Sequence, residues 1–212
     1  MIDVAIATED ALSEALIETL LHHGGRPVRI AQRFRRQGFG YLKSRMATFN
    51  DIARWRPVLV LTDLDRGACA PQVRREWLRQ PPAPNLLFRV AVREVEAWLL
   101  ADGDAFAAFL GIDPARVPPR PEGLPDPKQV LLSLVRQSRH RELKQDILPL
   151  PKARTVQGLG YNEQLSRFVR DHWRVACAVS QAPSLARAWQ RIQAWPTEGD
   201  DGVAAGRQGD CR

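Results

Sequence analysis

The chain has 212 residues, 44% of them hydrophobic and 26% charged, with 14 Gly, 16 Pro and a net charge of +7. This is globular composition, enough for one domain with additions, and it excludes collagen-like, coiled-coil and wholly disordered classes. No apolar run approaches the roughly 20 residues of a membrane helix, and Asp3, Glu9 and Asp10 stand where a secretory signal would be basic and then apolar. The expectation is a soluble, cytoplasmic protein with no membrane partner.

The N-terminal half alternates strand and helix signals. Val4 to Ala7 is a short apolar run, followed by a helix whose Leu12, Leu16 and Leu20 recur every four residues until Gly24-Gly25 stops it. Pro27 to Ala31 reads as a second strand, and Leu42 to Trp55 as a helix after the Gly38-Phe39-Gly40 turn. Val58 to Leu61 is apolar on both faces, as a buried parallel strand should be. Gln72 to Gln80 follows as a helix, Leu86 to Val92 as a fourth strand, and Glu94 to Asp102 as the start of a further helix. Strands separated by helices predict an α/β fold, with a parallel sheet of about four strands flanked by helices over residues 1–112.

The rest differs. Residues 113–127 hold six prolines in fifteen positions and read as a stiff connector. Residues 128–195 carry only helical patterns (Gln129 to Gln137, Asn162 to Val175, Ser184 to Trp195), which predicts a helical appendage. Residues 196–212 lack apolar periodicity and read as a disordered tail.

All but four of the 31 basic residues are Arg, whose planar fork holds phosphate bidentately. From Arg26 to Arg56 there are nine bases against one acid, with Phe34, Phe39 and Tyr41 interleaved. Arg33, Arg35, Arg36, Lys43 and Arg45 are therefore the candidate nucleic-acid contacts. A solvated basic face would read the same way.

Acids stand just after the strands: Glu9 and Asp10, Asp63 and Asp65, Glu94 and Glu96. In an open parallel sheet, ligands bind outside the carboxyl ends of the strands, so these groups can converge there. Converging hard oxygens call for Mg²⁺ or Mn²⁺, which bind and polarise phosphate. Helix starts and turns also favour single acids, so the weight rests on their joint placement. Glu94 and Glu96 diverge by about 200° on a helix, so only one points into the site. Glu96 is the one expected.

Thr8-Glu9-Asp10, Leu61-Thr62-Asp63-Leu64-Asp65-Arg66 and Glu94-Val95-Glu96-Ala97-Trp98-Leu99-Leu100-Ala101-Asp102 together resemble a bacterial family of uncharacterised Toprim-like proteins. That family is similar to the Toprim nucleases of the overcoming-lysogenization-defect type. The resemblance covers about residues 3 to 135, with Tyr161-Asn162-Glu163 and Ser184-Leu185-Ala186-Arg187 as later familial stretches. It implies a Toprim/Rossmann-like fold and a Mg-dependent phosphodiesterase acting on DNA or RNA in phage defence or DNA maintenance. By resemblance Glu9 is a metal ligand or general acid/base and Asp63 and Asp65 hold the metal, while Lys128 after Pro127 matches a recurrent Pro-Lys. The residue after the Glu is often Gly in Toprim domains; here Asp10 either crowds a phosphate or adds a ligand.

Other readings are weighed by what they need. A phospho-accepting receiver domain needs a Lys after a fifth strand, and a haloacid-dehalogenase-type phosphatase carries its Asp pair on the first strand; neither pattern occurs. A non-catalytic adaptor would use the same acids to cap helices. No GxxxxGK[ST] is present, so an ATPase partner would be a separately encoded chain. Cys69, Cys177 and Cys211 have unrelated spacings and support no zinc site, His22-His23 suits a helix C-terminus, and most of the six tryptophans fall at core-facing helix positions.

Overall fold

The computed structural model describes residues 1–35, 39–65, 67 and 69–195. Four strands alternate with helices: β1 (Ile2–Thr8), α1 (Ala11–His23), β2 (Val28–Arg35), α2 (Phe39–Ile52), β3 (Val58–Asp63), α3 (Ala70–Trp77) and β4 (Leu86–Ala91). All strand pairs are parallel and the order is β2-β1-β3-β4.

Because side chains alternate across a strand, the apolar runs feed two cores. Val4, Ile6, Leu59, Leu61 and Leu87 face α1, whereas Ala5, Ala7, Val58, Val60, Phe88 and Val90 face α2 and α3. The edge strand β2 runs to Arg35, four residues beyond the sequence expectation. Its outer residues give no apolar signal, and their charges are matched instead: Arg29 to Asp3 at 2.6 Å, Arg33 to Glu18 at 2.8 Å, and Arg35 to Glu14 at 3.7 Å. Asp10 caps α1 by accepting from the Ser13 N–H at 2.8 Å, and Gly25, at φ +79°, turns the chain after the helix. Phe39 already begins α2; Gly38 and Arg36 lie outside the described residues, as does the tail from 196.

β1 hands the chain to β2 on one side, and β3 hands it to β4 on the other. The topological switch therefore falls between the carboxyl ends of β1 and β3, where a crevice opens. Glu9 is the first residue past β1, and Asp63 is the last of β3.

The C-terminal half holds α4 (Val95–Leu100), α5 (Gly103–Leu110), two 3-10 turns (Pro114–Arg116 and Pro121–Gly123), α6 (Pro127–Arg136), α7 (Arg141–Ile147), α8 (Tyr161–Asp171), α9 (Val175–Gln181) and α10 (Pro183–Gln193). Helices α5, α7 and α9 are additional to the predicted elements, and each spans only seven or eight residues, about two turns. These helices share one core with the sheet: Leu131, Leu165, Phe168 and Leu185 belong to the same cluster as Val4, Leu16 and Leu61. Val117 and Pro121 are buried, so the proline-rich stretch is packed rather than a mere spacer. Among the described residues, no helix is long and apolar enough to cross a membrane.

Candidate active site at the carboxyl ends of the strands

Glu9 and β3 are tied across the crevice, where the Thr62 hydroxyl donates to Glu9 Oε1 at 2.5 Å. Asp63 Oδ1 accepts from the Val95 N–H at 2.9 Å, so it also caps the start of α4. Asp65 adopts φ 48°, a left-handed conformation that Asp tolerates better than most residues and that is common where a side chain is held for function. Its backbone is fixed by N–H donation to Arg93 O at 2.9 Å and by Arg93 Nη1 donating back to Asp65 O at 3.2 Å.

The stretch from Glu94 to Asp102 divides its work between the crevice and the C-terminal helices. Glu96 is buried, and its Oε1 accepts from the Tyr161 hydroxyl at 2.7 Å with the Lys128 ammonium 3.6 Å away. Lys128 Nζ also stands 4.8 Å from the centre of the Tyr161 ring. Glu94 Oε2 accepts from the backbone N–H of Lys128 at 3.1 Å. Trp98 Nε1 donates to Ser184 Oγ at 2.8 Å, and the Ser184 hydroxyl donates to Glu122 at 2.6 Å. Asp102, nearly inaccessible, accepts from the Arg174 backbone at 2.8 Å and from its guanidinium at 2.5 and 3.0 Å. The final Asp of the motif is thus a structural anchor.

Electrostatically the crevice is a crowd of carboxylates. Burial, and then the charges of Glu96 and Glu9, push Asp63 well above the usual carboxylate range. Burial also raises Glu9, partly offset by the Thr62 hydrogen bond. Burial raises Glu96 against the opposing pull of Lys128 and Tyr161, and burial with the charge of Glu96 pushes Glu94 up to about 7. Such a set of hard oxygens, repelling one another, fits a hard divalent cation in donor chemistry. Among the described residues, however, no three His, Cys, Asp or Glu side chains are drawn into a common ligand set.

Beside the acids lies a cavity of about 550 Å³ bordered by Lys43, Asp65, Trp77, Arg93, Glu94 and Asp126. The structure therefore gathers Glu9, Asp63, Glu96 and Lys128, and sets Asp65, Glu94 and Lys43 along the adjoining cavity. Arg45 is exposed on α2, while Arg33 and Arg35 are engaged with α1. Sequence reasoning did not assign Tyr161 or Arg93 to this region. Tyr161 sits 65 residues from Glu96, so no local pattern in the sequence links the two. Trp98, Trp173, Trp77 and Trp195 are buried as expected, but Trp55 is 89% exposed. Compared with known proteins, the chain matches no family model, no curated protein and no solved structure.

Proposed function

We propose that this chain is a Toprim-like, Mg²⁺- or Mn²⁺-dependent phosphodiesterase acting on nucleic acid. The observation that carries the reading is the gathering of Glu9, Asp63 and Glu96 at the sheet's switch point, where burial makes all three hold their protons more tightly and the charges of Glu96 and Glu9 add to that effect at Asp63. Glu9, Asp63 and Asp65 would hold the cation, with Glu96 completing the charge around it. When bound, the cation would polarise a phosphoryl oxygen and lower the barrier to attack at phosphorus.

The chain's own residues supply orientation. Tyr161 and Lys128 hold Glu96 in one position, the Thr62 hydroxyl fixes Glu9, and the left-handed turn at Asp65 directs that residue toward the cavity. Lys128, with 29% of its side chain exposed, also offers positive charge to an approaching phosphate. Lys43 and Arg93 border the cavity from two sides and suit the flanking phosphates.

A second reading is a non-catalytic adaptor or regulatory partner of a separately encoded ATPase. It is favoured by the structural work that several acids already do: Asp10 caps α1, Asp63 caps α4, and Glu94 receives the Lys128 N–H at the start of α6. Incubating supercoiled plasmid and RNA with Mn²⁺ separates the two. Cleavage lost in Asp63→Asn supports the enzyme, and wild-type inertness with no divalent binding supports the partner.

A further inference from the structure

We propose that the outer edge of the sheet at β4 is a phosphodiester-binding surface built by Arg74, Arg89, Arg187 and Arg191. Helix α10 is pinned along β4 at both ends. Ser184 Oγ accepts from the Val92 N–H at 3.2 Å, and Trp195 Nε1 donates to Asn85 O at 3.1 Å, so the helix runs antiparallel to the strand. Arg187 and Arg191, one turn apart and both exposed, share one face of it between those pins. Arg89 alternates with Leu87 and Ala91, which pack on this same side of the sheet. Arg74 reaches the edge from α3 on the other side, with Nη1 donating to Phe88 O at 3.0 Å.

Four guanidinium groups from three elements thus meet on one strand edge. Among the described residues, none of them forms an ion pair with a carboxylate. Arg89 Nε is buried and has no hydrogen-bond partner. Burial, followed by the charges of Arg74, Arg191 and Arg187, pushes Arg89 down to about 10, which leaves it protonated at neutral pH. A buried donor without an acceptor is costly, and an anionic oxygen is the acceptor that an Arg cluster matches.

Charge on an edge strand also deters strand pairing. Here the Arg74 guanidinium and the Ser184 hydroxyl already occupy Phe88 O and the Val92 N–H, so that role does not require three further arginines. Arg187 and Arg191 are about 6 Å apart along the helix, and Arg74 extends the row to the other face of the sheet, which suits successive phosphates better than one. Arg89 lies five residues before Glu94, at most about 18 Å of extended chain, so a bound strand can continue toward the carboxylate crevice. The basic stretch around Arg33 and Arg35 is a weaker candidate because those charges are matched by Glu14 and Glu18.

Binding at this edge needs no divalent cation, so it is measured in EDTA, apart from cleavage. Fluorescence anisotropy of labelled single-stranded DNA and RNA is followed over a salt series for the wild type, Arg187→Gln/Arg191→Gln, Arg89→Gln and the comparison variant Arg33→Gln/Arg35→Gln. The paired α10 variant, whose exposed positions tolerate Gln, is expected to bind about tenfold or more weakly. Its salt slope should fall by about 1.4 for two lost phosphate contacts. Arg33→Gln/Arg35→Gln should change neither quantity. Wild type that binds neither polymer, an α10 variant with unchanged affinity and slope, an equal loss in the comparison variant, or competition by polyglutamate matching that by oligonucleotide would each overturn the proposal. Binding that is intact in EDTA without cleavage in Mn²⁺ would count against the phosphodiesterase reading alone.

Discussion

Tyr161→Phe removes one oxygen and leaves the ring against Lys128, so it isolates the hydrogen bond to Glu96. Tyr161 is 1% exposed and Glu96 is 4% exposed, so water cannot replace the lost donor without disturbing the packing. A hydrogen bond to a buried charged group contributes about 1.5–3 kcal/mol. For a chain of this size each kcal/mol moves the melting temperature by about 2–4 °C, so a drop of about 3–12 °C is expected. Differential scanning calorimetry at pH 7 reads it directly. In Glu96→Gln the Tyr161 hydroxyl keeps an acceptor of lower charge, so Tyr161→Phe should cost less in that background. A coupling of about 0.5–2 kcal/mol between the two sites follows. Strict additivity, or a melting temperature within about 1 °C of wild type, would refute the assignment of Tyr161 as the group that positions Glu96.

Stability should also fall as pH rises through the range in which the raised carboxyls ionise. Glu94 titrates at about 7 when folded against an ordinary 4.5, so the folded state binds its proton more tightly. Its contribution is undiminished below about 4.5, declines up to about 7 and is flat above; Glu9, Asp63 and Glu96 act in the same direction. Thermal melts at pH 5 and pH 8 check this, and a higher melting temperature at pH 8 in EDTA would contradict it. Asp65→Gly relieves the left-handed backbone and should gain about 0.5–1 kcal/mol by urea denaturation while losing divalent-dependent cleavage. A stabilised variant with full activity would remove Asp65 from the site. Ser184→Ala strands the Trp98 indole N–H and the Val92 N–H, while Glu122 keeps the backbone N–H of residue 184, and should cost about 2–4 kcal/mol in the same assay. A loss below about 0.5 kcal/mol would mean that α10 is held without that junction.

The alternation of apolar runs and helical periods made the α/β sheet legible, because β1, β3 and β4 are buried on the faces their patterns mark. β2 was legible only to Ala31: beyond it, pairing with β1 and ion pairs to α1 hold the strand, and neither leaves a period-2 apolar signal. Asp63 and Glu9 were legible because a parallel sheet brings strand ends together whatever the loops do. Tyr161 and the partners of Asp102 and Trp98 were not, since contacts 65 to 86 residues apart depend on how the C-terminal helices dock. The arginines at the β4 edge leave no local signal either: Arg74, Arg89, Arg187 and Arg191 are scattered in sequence and come together only when α3 and α10 pack on β4.

Calorimetric titration of Mn²⁺ into the wild type and Asp63→Asn at pH 8 tests the central claim most directly. Crowded carboxylates that share a cation should give saturable binding in the wild type, release of protons, and a melting temperature raised by about 5–11 °C at a hundredfold excess over Kd. Asp63→Asn should bind at least tenfold more weakly. Absence of binding by the wild type even with oligonucleotide present, or equal binding by both proteins, would contradict a divalent cation site at the carboxyl ends of β1 and β3.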